Sequence, residues 1–150
     1  MEEIQRSSKK MRLVIDANIL ISALIKKESV IRRILSLAFL NFYLPTFALE
    51  EIEEHIDYII NKSKLTKKEF IELLSFLFTN IYIVKHKKFS SFYNKATNII
   101  GSIDKEDIPY IALALSFQND GIWTEDKHFE QQSKIKMWKT EELVKLFFKK

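Results

Sequence analysis

The chain predicts an α/β fold: a parallel sheet with helices on both faces. Two observations carry this expectation. Short apolar runs rich in β-branched residues alternate with longer stretches of helical periodicity. Such alternation implies parallel strands joined by right-handed crossovers. The length of 150 residues with 47% hydrophobic content is enough for one substantial core.

Met11 to Asp16 reads as the first strand, through Leu13-Val14-Ile15, and Asn18 to Ile25 as the helix behind it. Val30 to Leu40 carries Ile31, Ile34, Leu35 and Leu37-Ala38 at helical spacing and predicts a second helix. Phe42-Tyr43-Leu44 is a short strand ended by Pro45. Thr46 is placed to cap the next helix, whose apolar face uses Leu49, Ile52, Ile56, Ile59 and Ile60. Thr66 opens a further helix to about Phe78, and Ile81 to Val84 makes the third strand. A helix over Ser90 to Ile100 ends at Gly101, and Asp104 or Asp107 starts another through Ile111 to Leu115. Gly121 to Thr124 is the fourth strand. A short helix around His128, a strand at Ile135 to Trp138 and a helix from Thr140 to Phe148 complete the order.

Composition narrows the chemistry. With two glycines and two prolines there is no flexible linker, and two glycines build neither a phosphate loop nor a dinucleotide fingerprint. The absence of cysteine removes disulfides, thiol nucleophiles and thiolate-bound zinc. His55, His86 and His128 lack ligand spacing, which argues against a zinc site, and no serine sits in a nucleophile elbow. Residues 1–10 are polar and read as a flexible extension to a single domain over 11–150. They have no signal-peptide core, and no later run spans a bilayer, so the expectation is a soluble, cytoplasmic protein. The net charge of +4, with lysine and arginine groups at residues 9–12, 32–33, 62–68 and 85–88, favours polyanions. Lysine-rich faces of this kind also occur simply as solvated, heat-stable surface.

Acidic residues recur where strands end. In open α/β sheets ligands bind beyond the carboxyl ends of the strands, so an acid at a strand's last position points toward that crevice. Asp16 stands there; buried, its charge is costly unless paired, coordinated or used to cap the following helix. Within Glu50 to Glu54 helix phase does not select one glutamate: Glu54 points away from the apolar stripe, while Glu51 and Glu53 flank it. Asp104 and Asp107 precede Ile108-Pro109 and fit either a cation site or a helix start. Asp126 follows the fourth strand and fits either the crevice or a polar turn. Together such carboxylates supply both ligands and charge to a hard divalent cation.

On these residues the chain resembles the PIN domain family from about Met11 to Lys149. The markers are Asp16-Ala17-Asn18 with Ser22 following, Glu51-Ile52 after Leu44-Pro45, Asp107 ahead of Ile111-Ala112-Leu113-Ala114, and Thr124-Glu125-Asp126 after Ile122-Trp123. Ala17 stands where Thr is most common. The resemblance implies a three-layer α/β/α fold with a mostly parallel sheet of four to five strands. It also implies a Mg²⁺- or Mn²⁺-dependent ribonuclease, commonly the toxin of a toxin–antitoxin pair. Asp16, Glu51, Asp107 and Asp126 would be the acidic quartet, with Asn18, Asp104 and Thr124 supporting it and Lys105 and Lys127 holding substrate phosphates. A homodimer and an antitoxin protein are the implied partners. The competing readings are a non-catalytic PIN-like module that binds RNA or protein, and a phosphatase acting on small esters.

Overall fold

The computed structural model describes residues 10–27 and 29–148, so the extension expected at residues 1–10 lies outside them except for Lys10. Five strands form one sheet: β1 (Met11–Ile15), β2 (Leu40–Pro45), β3 (Ile81–Val84), β4 (Ile122–Trp123) and β5 (Met137–Trp138). Their order is β3-β2-β1-β4-β5 and every pairing is parallel. The helices are α1 (Ala17–Ile25), α2 (Val30–Leu35), α3 (Thr46–Glu54), α4 (Ile56–Ser63), α5 (Lys67–Leu77), α6 (Tyr93–Ile100), α7 (Ile108–Ser116) and α8 (Thr140–Phe148).

This order dictates the layers. From β1 to β3 the chain steps one way along the sheet; from β3 it returns past β1 to place β4 on the other side. Right-handed crossovers therefore put α1 to α5 on one face and α6 and α7 on the other. The packing agrees: α1 meets α2, α3, α4 and α5, whereas α7 meets α6, β1 and β2. The result is the three-layer α/β/α arrangement. Leu13, Val14, Ile15, Phe42, Leu44 and Trp123 are fully buried between the layers. Burial on both faces is why these strands read as continuous apolar runs. No helix among the described residues is long and apolar enough to cross a membrane.

Several boundaries differ from the expected ones, each for a local reason. The helix expected to reach Leu40 stops at Leu35: the Asn80 amide donates to the carbonyls of Leu35 and Leu37 at 3.4 and 3.2 Å, and Leu40 pairs with Met11 in the sheet. Thr46 does not cap; β2 runs through Pro45, which takes the N-cap position itself. The single long helix after Pro45 is two, broken at His55, whose N–H reaches back to Ile52 and whose ring Nδ1 lies 2.8 Å from the Glu51 carbonyl. That break resets the phase, so Ala48 is buried and Leu49 is exposed. Thr66 caps α5 as expected, in a reciprocal box with Glu69. The helix expected from Ser90 begins with a 3₁₀ turn, Ser90–Phe92, and ends at Gly101.

Candidate metal centre

The change of direction in strand order falls between β1 and β4, whose carboxyl ends lie side by side: Ile15 pairs with Trp123 and the Asp16 N–H donates to the Trp123 carbonyl at 3.3 Å. This is the topological switch point, where an open α/β sheet leaves a crevice. Asp16, the residue after β1, is 6% exposed. Its two oxygens divide their work. Oδ1 accepts from the Asn18 N–H at 2.9 Å and caps α1; Oδ2 accepts from the Thr124 hydroxyl at 2.7 Å. The capping role and the crevice position expected for Asp16 thus coexist.

Thr124 ties the two strand ends together. Besides donating to Asp16, its buried hydroxyl accepts from the Asp126 N–H at 2.9 Å. Asp126 Oδ1 in turn accepts from the His128 N–H at 2.9 Å and opens the 3₁₀ turn Lys127–Gln131. Asp126 is therefore a turn former and a member of the acidic group at once.

Asp104 and Asp107 play different parts. Asp104 accepts from the Glu106 N–H at 2.9 Å and starts the 3₁₀ turn Lys105–Asp107. Asp107 is only 5% exposed, makes no side-chain cap to α7, and its buried Oδ2 has no hydrogen-bond partner among the described residues. A buried carboxylate oxygen without a donor is costly. Burial first, then the neighbouring Asp126, Asp104 and Asp16, raise the Asp107 carboxyl to about 7, with His128 opposing them. The same physics raises Asp16, chiefly through burial and secondarily through Asp126, against the two hydrogen bonds it accepts. Such a set repels itself until a cation arrives.

The fold selects a glutamate where helix phase did not. Glu51 is half-buried while Glu50, Glu53 and Glu54 are exposed. Its Oε1 accepts from the Tyr110 hydroxyl at 2.6 Å, and the same hydroxyl oxygen accepts from the Ala17 N–H at 3.3 Å. Burial is the main cause raising the Glu51 carboxyl, with Asp16 adding to it and the Tyr110 bond opposing. Tyr110 escaped the sequence reading. The available signal was a polar-tipped ring three positions after Asp107, on the same helical face, in an otherwise apolar run.

His128 was the other omission. Its Nδ1 lies 3.1 Å from Asp104 Oδ2, 3.2 Å from Asp126 Oδ1 and 3.6 Å from Asp107 Oδ2. One ligand atom from each of Asp104, Asp107 and His128 fits within a sphere where all lie within 4.8 Å of one another. Spacing along the chain hid this, because the turn after Asp126, rather than a repeat of histidines, delivers the imidazole. The remaining expected residues stand at the rim. Asn18 is exposed and lines a cleft with Ser22, Ile31 and Asp126; among the described residues its side chain makes no hydrogen bond to the acids. Lys105 and Lys127 are exposed, each one residue along from an acid of the group.

The donor set suits a divalent cation: buried, mutually repelling carboxylates, one with an orphaned oxygen. The sequence profile of the PIN domain family matches residues 14–147. A search of curated proteins finds no match. The match takes in both ends of the sheet and every acid of the group, so the chain belongs to the PIN domain family, whose members are in general metal-dependent nucleases.

Proposed function

We propose that the protein is a Mg²⁺- or Mn²⁺-dependent ribonuclease that hydrolyses phosphodiester bonds, with Asp16, Glu51, Asp107 and Asp126 as its acidic quartet. The observation that carries this reading is Asp107, a carboxylate buried at the switch point with an unsatisfied oxygen and three other acids pressing on it. A bound divalent ion would supply a Lewis acid at the scissile phosphate and an activated water.

The chain's own residues prepare that site. Thr124 and the Asn18 N–H hold Asp16 in one orientation, so its charge faces the crevice without reorganisation. Tyr110 fixes Glu51 to the start of α1 and prevents the side chain from relaxing outward to water. Asp104 and Asp126 keep their backbone-bound oxygens in place through their own turns. Lys105 and Lys127 at the rim hold flanking phosphates without reading sequence. In the same reading the enzyme is a homodimeric, cytoplasmic toxin checked by an antitoxin protein, which a small DNA-binding protein encoded next to it would support.

The test is cleavage of end-labelled single-stranded RNA with Mg²⁺, Mn²⁺ or EDTA, comparing wild type with Asp16→Asn and Asp107→Asn at equal folded concentration. Metal-dependent cleavage lost in both variants is the expected result. Equal residual cleavage in all three would mark a contaminant. Metal binding with no cleavage of RNA would favour a non-catalytic module.

A further inference from the structure

We propose that His128 Nδ1 is itself a ligand, completing with Asp104 and Asp107 a mixed nitrogen–oxygen cation site that favours Mn²⁺ and the later first-row divalent ions over Mg²⁺. The inference rests on the reading that these carboxylates hold a cation, and adds which atom joins them and which ion they choose.

Three observations carry it. The imidazole Nδ1 is buried and lies within 3.6 Å of oxygens from Asp104, Asp107 and Asp126, yet it is aligned for a hydrogen bond to none of them. Asp107, nine-tenths buried, aims an equally unpartnered Oδ2 into the same space. Finally, neighbouring ligands of a six-coordinate ion sit about 3 Å apart for bonds of roughly 2.1 Å. The Nδ1 distances of 3.1 and 3.6 Å to Asp104 and Asp107 are close to that spacing.

The position of the ring is built. Asp126 Oδ1 accepts from the backbone N–H of His128, and Phe129, fully buried, anchors the turn beside it. Asp126 thus orients the imidazole as well as contributing charge. Neutral imidazole suits the borderline transition ions, whereas Mg²⁺ takes oxygen and sheds water reluctantly. One nitrogen in the set therefore biases the choice of metal without excluding Mg²⁺ from the carboxylates.

The test uses the full chain loaded with Mn²⁺ and pulsed electron paramagnetic resonance, which detects a directly coordinated ¹⁴N. Wild type is expected to show imidazole nitrogen coupling, His128→Ala to lose it while still binding Mn²⁺, and His86→Ala to keep it. Titration should show the preference for Mn²⁺ over Mg²⁺ falling about tenfold or more in His128→Ala, the scale on which loss of one group at a metal site is felt. His128→Gln, which keeps a polar side chain, should lose the nitrogen coupling equally. Mn²⁺ bound in wild type without nitrogen coupling overturns this inference and leaves the carboxylate site standing. Failure of wild type to bind Mn²⁺ or Mg²⁺ at all overturns both.

Discussion

Asp107 concentrates the conflict between stability and chemistry in one side chain. Its carboxyl ionises near 7 in the folded chain against an ordinary value of 3.8. Because the folded value is raised, the native state holds a proton that the unfolded chain has released. Metal-free stability therefore declines as pH rises from about 4 to about 7, and is level above. The full difference corresponds to roughly 4 kcal/mol. Asp107→Asn removes the ionisation and keeps the shape. In EDTA, Tm of the variant should match wild type near pH 4 and exceed it increasingly up to about pH 7. A difference that does not change with pH would mean that Asp107 is hydrated rather than buried. Saturating Mn²⁺ should close the gap from the wild-type side, because a cation stabilises the ionised form that the metal-free site penalises.

At the scale of elements, the two-residue strand β4 matters more than its length suggests, since Thr124 and Asp126 hang from its end. It is preceded by Gly121, which has φ +125°, a conformation that L side chains rarely adopt. A Cβ there would also collide with the carbonyl of Lys136, the residue before β5. Gly121 is pinned on both sides: its N–H donates to Asn119 Oδ1 at 2.9 Å and its carbonyl accepts from the Val14 N–H at 2.9 Å. Gly121→Ala should cost about 1–3 kcal/mol in chemical denaturation. It should also weaken metal binding, because relief of the clash shifts the strand that carries Thr124. A variant that loses stability but keeps metal affinity would show that the strand end is held independently of its start. The same elements explain what the sequence could disclose. Apolar runs such as Leu13-Val14-Ile15 and Ile81 to Val84 announce strands because both sheet faces are covered, and Thr66 with Glu69 announces a helix start. Asp16 and Asp126 were legible because a strand end fixes where they go. Helix phase alone did not single out Glu51, which only the family resemblance named, and Tyr110 and His128 were not legible, because these places depend on the break at His55, on a contact between residues 59 positions apart, and on a turn built by Asp126.

Across the whole molecule, charge is divided against the net balance. The chain carries +4 overall, yet the crevice between β1 and β4 gathers Asp16, Glu51, Asp104, Asp107 and Asp126. A polyanion is therefore attracted to the molecule at a distance and repelled at the point where it must react. A divalent cation resolves the repulsion locally; cationic side chains at the rim must provide the rest of the hold on the backbone. Lys105 and Lys127 are exposed in the two turns that carry Asp104, Asp107 and Asp126. If each neutralises one phosphate of a single strand, each contributes about 0.7 to the slope of log affinity against log salt. The variant Lys105→Ala/Lys127→Ala should bind single-stranded RNA more weakly at low salt, with the slope shallower by about 1.4, and should keep its affinity for Mn²⁺. An unchanged slope would move the phosphate contacts to Lys85, Lys87 and Lys88, which line a separate cleft with Tyr43 and Phe117. The substrate would then cross the sheet face over β2 and β3 before entering the crevice, a longer footprint that the minimum length of RNA bound would reveal.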